Sequence, residues 1–235
     1  MKIKTLSKLI FDEYFKYFIF SIMLIILIDF IFINFTGLSI DKENGYIYWL
    51  GGNETFSMGL RIMLLKTLNI SIIFLTIGRI IEEVSRNIMI YVFSRITNYS
   101  KFLWQYFSII IMIGLILLTA SHIIYYIFIG LPIDKLWIIF SYLLFDCLGF
   151  ISIITIYFML NNAFLFENSF LIIITIYMLN TILPIPIIFA TSTVKYILII
   201  NQIHIAILFA LILLFDFILI ICLKKLIQEK RFNLC

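Results

Sequence analysis

Charge is scarce in this chain: only 13% of its 235 residues are Asp, Glu, Lys or Arg, against 64% hydrophobic ones. A soluble domain uses roughly 45–50% apolar residues, so a water-exposed globular fold is excluded and an integral membrane protein is expected. Proline and glycine are also rare, at 3 and 9 residues. Few helix breakers, together with long apolar runs that lack the period-two alternation of a barrel strand, exclude an outer-membrane β-barrel and point to spanning helices. The three cysteines, Cys147, Cys222 and Cys235, are an odd and scattered set that indicates neither a disulfide framework nor a zinc site. The two histidines, His122 and His204, fall near expected outer ends of spans, where each is satisfied by solvent or a hydrogen bond; a zinc centre would need a third ligand. No G-x-x-x-x-G-K-[ST] phosphate loop occurs, and no polar stretch is long enough for a nucleotide-binding domain. The chain is therefore not read as an enzyme, and its net charge of +4 carries no nucleic-acid reading.

What is present is a series of apolar stretches. Met1 to Lys16 places Lys2, Lys4, Lys8 and Lys16 among Leu6, Leu9, Ile10 and Phe11, the pattern of an amphipathic helix on a membrane face or of a positively charged anchor. The fold class expected is all-α integral membrane, one transmembrane domain over 1–235 with six spans at about 17–35, 57–77, 102–128, 136–160, 170–188 and 203–223. The run from Tyr17 to Phe35 exceeds a signal-peptide core of roughly 7–15 residues and is read as a retained first span. Between spans four and five stands a short polar link with Asn161, Asn162, Glu167 and Asn168. Between spans five and six, Pro184 and Pro186 break the helix, and the run Tyr196 to Ile200 rises only about 7.5 Å, too little to cross a core of about 30 Å. Six spans put both termini on one side. Counting Lys and Arg places that side in the cytoplasm: twelve such residues fall there and five, Lys42, Arg61, Lys66, Lys135 and Lys195, outside or in the outer half. The abundance of Ile, Asn, Lys and Phe fits an AT-rich bacterial genome, hence a bacterial plasma membrane.

Within the spans, Asp29, Lys66, Asp146 and Asp216 must face protein or water, since a charge at the centre of a lone helix costs about 2.5–3.5 kcal/mol on insertion scales. Asp29 and Lys66 lie in the outer halves of consecutive antiparallel spans, a geometry that permits an ion pair. Lys66, Asn69 and Thr76 share a helix stripe that lines a substrate path, meets a second copy of the chain or simply packs helices.

The stretch Arg79 to Lys101 is expected to be a cytoplasmic loop, yet its middle, Ile88 to Phe93, is almost wholly apolar. At helical spacing Val84, Ile88, Tyr91 and Val92 share a face, which needs a membrane surface or a partner groove to bury it. An acidic pair, Glu82 and Glu83, then a short apolar helix ending in Ser94 and Arg95, then Tyr99 and Lys101 entering the third span, resembles the permeases of the second type of ATP-binding-cassette (ABC) exporter. The resemblance covers the whole chain in layout and about twenty residues in motif. The sequence departs from the family's pattern where a Gly follows the acidic residue; Ser85 and Asn87 occupy that neighbourhood. The resemblance implies a permease that pairs with itself or a related copy and inserts a coupling helix, with Glu82, Glu83, Arg86, Tyr91 and Arg95, into a separate ATPase holding ATP and Mg. Lys66, Asn69, Thr76 and Asp29 would then line the translocation path, and the cargo would be amphipathic or hydrophobic, such as a peptide or bacteriocin. The other reading is a non-transporting immunity or sensor protein that binds a toxin in the membrane. The pair Glu82-Glu83 with Arg86 also invites comparison with CAAX-type intramembrane proteases, but its E-E-x-x-R spacing is one residue short and turns the Arg by about 100°.

Overall fold

The computed structural model describes residues 3–36, 56–84, 99–129, 136–182 and 202–228. They form six helices: α1 Ile3–Thr36, α2 Phe56–Glu83, α3 Tyr99–Ile129, α4 Leu136–Ala163, α5 Phe166–Ile182 and α6 Gln202–Gln228, with no strand among the described residues. Four contain stretches long and apolar enough to cross a membrane: Tyr14–Asn34, Leu64–Glu83, Ser100–Phe128 and Leu143–Asn161. The chain is a membrane protein on that ground. The apolar part of α5, Phe166–Leu179, is shorter.

Side-chain pairings give the helix directions. Tyr17, Ser21 and Asp29 of α1 meet Glu83, Thr76 and Asn69 of α2, so the two helices are antiparallel. His122 and Phe107 of α3 meet Asp146 and Phe158 of α4, again antiparallel. Phe145 and Ser152 of α4 meet Phe209 and Asp216 of α6, so these two run the same way. The start of α5, Phe166, lies against Arg79 at the end of α2, while Tyr177 reaches the level of Lys66. Helices α1, α3 and α5 therefore point one way and α2, α4 and α6 the other.

The second helix is central. Its apolar side chains Ile70, Ile73, Phe74, Ile77, Ile80 and Ile81 are buried, and among its described large apolar side chains only a stripe of Leu64, Leu68 and Leu75 is exposed. Phe74 packs on α4 through Phe150 and Tyr157, with ring centroids 5.6 and 5.1 Å apart. By contrast α1 and α6 expose broad apolar faces, including Phe20, Met23, Leu27, Leu214 and Phe217. Exposed apolar area of that extent is unstable in water and is what lipid covers.

Four boundaries differ from the sequence expectation. Arg79 to Glu83 is the last turn of α2 and not a loop, because Ile80, Ile81 and the following Val84 continue its buried face while the charges point away from the core. Likewise Tyr99 to Lys101 already belongs to α3. The polar link between spans four and five contracts to Phe164 and Leu165: Asn161 stays in α4, its amide donating to the Tyr157 carbonyl at 3.1 Å, and Glu167 sits in the first turn of α5, where a carboxylate complements the helix dipole. Finally, the amphipathic N-terminal segment is continuous with the first span in one helix of 34 residues. Residues 85–98, including Arg86, Tyr91 and Arg95, lie outside the described residues, as do Pro184, Pro186 and the segment 183–201.

Candidate functional site

Helix packing collects polar side chains from α2 to α5 at one level of the bundle. Lys66 and Asn69 of α2, Ser121 and His122 of α3, Asp146 of α4 and Tyr177 of α5 line a cavity of about 20 Å³ together with Ile70 and Leu118. One water needs roughly 10–15 Å³ on this scale, so the cavity admits a single small guest. From the ends of α1 and α3 and the start of α4, this level lies about 10–15 Å into the bundle at 1.5 Å per residue.

Burial makes each member of the cluster dependent on its neighbours. His122 is 2% exposed and Asp146 4%. His122 Nε2 and Asp146 Oδ2 are 3.1 Å apart, a hydrogen bond in which the imidazole donates. Asp146 also faces the charge of Lys66, which is itself buried. A Lys–Asp–His arrangement of this kind lets each buried polar group offset its neighbour. Ser121 does not extend it toward nucleophilic chemistry, since its hydroxyl donates to the Leu118 carbonyl of its own helix at 2.8 Å. Among the described residues no group of three or more His, Cys, Asp or Glu is placed to hold a metal ion.

The residues expected to line a path are all buried, but they divide. Lys66 and Asn69 border the cavity. Asp29 accepts a hydrogen bond from Asn69 Nδ2 at 2.8 Å, whereas the anion that Lys66 faces is Asp146; helix register therefore pairs Asp29 with the residue one turn beyond the lysine. Thr76 meets Ser21 of α1 and donates to the Ile72 carbonyl at 2.8 Å. Its place is the α1–α2 seam. Interhelical polar contacts in membranes average about 0.6 kcal/mol, so Tyr17–Glu83, Ser21–Thr76 and Asp29–Asn69 set register more than they add stability.

His122 and Asp146 carry a signal for their pairing in the sequence. They lie at similar distances either side of the short 130–135 connection, and an antiparallel helix pair brings such positions together. His204, read with His122 as a terminal histidine, has a side chain outside the described residues.

A second group marks one end of the bundle. Tyr17 Oη donates to Glu83 Oε1 at 2.7 Å, Arg79 bonds Glu82 at 3.1 Å, and the Arg79 guanidinium lies over the Phe166 ring at 5.9 Å. Of the six described Lys and Arg side chains, Lys16, Arg79, Lys101, Lys224 and Lys225 are exposed at this end, and Lys66 alone is buried within the bundle. Phe164 and Leu165 are also exposed there.

No family model, no curated protein and no solved structure matches the chain.

Proposed function

We propose that this chain is the permease subunit of an ATP-driven exporter of the ABC type, moving an amphipathic or hydrophobic cargo such as a peptide across a bacterial plasma membrane. In this reading all six helices span, the basic end is cytoplasmic, and both termini lie there. A second permease copy completes the path. A separate ATPase, holding ATP and Mg, docks on the stretch 85–98 with Arg86, Tyr91 and Arg95, entered through Glu82 and Glu83.

The observation that carries the reading is the strict alternation of six helices with the five exposed described cations at one end, the same end at which α2 stops and α3 starts. The cavity beside Lys66 has room for one water, so cargo passage requires α2, α3, α4 and α5 to part at this level.

The test is purification of the tagged full chain from membranes of its source cell, followed by an ATP hydrolysis assay. A cytoplasmic ATPase is expected to accompany it, and Glu82→Lys with Glu83→Lys is expected to lower the accompanying hydrolysis several-fold while the chain still inserts. Tyr17→Phe, which removes the α1 tie to Glu83 and leaves both acidic charges, is expected to change it little. A chain that binds a peptide but never brings down an ATPase would sink the exporter and leave the immunity or sensor reading.

A further inference from the structure

Two oxygen atoms on neighbouring helices have nothing to accept. Asp29 is fully buried on α1, and its Oδ1 accepts from Asn69 Nδ2. The other carboxyl oxygen, Asp29 Oδ2, and the Asn69 carbonyl oxygen, Oδ1, are buried with no hydrogen-bond partner among the described residues. Two bare acceptors cannot satisfy each other. An ionised Asp29 would rest on one neutral N–H donor, against a desolvation penalty of several kcal/mol for a buried ion.

We propose that Asp29 and Asn69 form an intramembrane proton-binding site, in which Asp29 is a neutral carboxylic acid whose Oδ2–H donates to Asn69 Oδ1 while the Asn69 amide donates back to Asp29 Oδ1. One proton removes both orphan acceptors and closes a reciprocal acid–amide pair between α1 and α2. The surrounding charges agree. On α2, Lys66 stands one turn from Asn69 and is balanced by Asp146 of α4; on α3, His122 donates to Asp146, and Tyr125 adds a neutral phenol within electrostatic range of Asp29. Formally that leaves Asp29 as the odd negative charge of the group, which the bound proton cancels. The proposal does not depend on the exporter reading.

Infrared spectroscopy of the full chain in lipid nanodiscs tests it. At neutral pH the wild type is expected to show a carboxylic acid C=O stretching band that moves to lower wavenumber in D2O, is lost in Asp29→Asn and is retained in Asp216→Asn. Because the amide introduced by Asp29→Asn offers an N–H where the acid had its O–H, that variant is expected to melt within about 2 °C of wild type, whereas Asp29→Leu strands Asn69 and melts about 5 °C lower. Should Asp29→Asn fail to insert, Asn69→Leu is expected to shift the same band to higher wavenumber by freeing the acid. Absence of the band, its survival in Asp29→Asn, or an unmoved band in Asn69→Leu overturns the proposal. So does equal destabilisation by Asp29→Asn and Asp29→Leu. A band present in choline chloride and abolished by sodium chloride also overturns it, assigning the two oxygens to sodium instead.

Discussion

Replacing Asp146 by Ala is expected to lower the thermal midpoint of the purified protein by about 10 °C, since removing one partner of a buried ionic contact costs about 3–5 kcal/mol and a chain of this size loses about 2–4 °C per kcal/mol. The carboxylate holds His122 at 3.1 Å and is the anion that buried Lys66 faces, so its loss leaves two polar groups with less compensation than they had. Adding Lys66→Met to Asp146→Ala removes the ammonium as well and is expected to recover a large part of the loss. The check is a double-mutant cycle in detergent at a fixed scan rate, because unfolding of such proteins is commonly irreversible. Strictly additive losses would mean that Lys66 and Asp146 do not interact.

Gly78→Leu is expected to be nearly as damaging, by about 3 kcal/mol or more, at the upper end of what overpacking costs. Any Cβ at Gly78 collides with the Phe166 ring and with Tyr157 Oη. Phe166 is partly exposed and can swing away, giving up its contact with Arg79, but Tyr157 is buried on all sides and its hydroxyl has nowhere to retreat. The close approach of α2 to α5, with the Tyr157 hydroxyl of α4 filling the remaining space, therefore needs glycine at this position. Gly114→Ala offers an internal scale. There a Cβ would stand 2.5 Å from Ile154, 2.8 Å from Phe150 and 3.0 Å from Ile77, contacts that small side-chain shifts relieve in part, so a loss of about 1–2 kcal/mol is expected. Melting both variants beside wild type checks the ranking; a Gly78→Leu protein as stable as wild type would rule out the packing of α5 on α2.

Much of the architecture is legible in the sequence because lipid imposes a length on apolar runs. The helices α1 to α4 contain the first four expected spans. The end of α2 was less legible for a reason visible in its residues. Arg79, Glu82 and Glu83 mark a departure from lipid, but Ile80, Ile81 and Val84 alternate with them at helical spacing and remain in the core, so charge at a membrane surface did not mean loop. The site was legible only in its membership: buried Asp29, Lys66 and Asp146 were identifiable as residues that must face protein, while their partners depend on rotation about each helix axis. A turn's difference in register decides whether Asp29 meets Lys66 or Asn69. Ser152 with Asp216 was beyond reach from sequence, since the two helices run parallel and nothing local links them.

That last pairing bears on how the chain is made. Helix α6 packs mainly on α4, and its buried Asp216 has its hydroxyl donor on a helix synthesised 64 residues earlier. Asp at the centre of an inserting helix costs about 2.5–3.5 kcal/mol on the translocation scale. In the reading in which all six helices span, Ser152 offers that carboxyl its donor only once α4 is in place. Insertion of α6 would then favour an order in which α4 comes first.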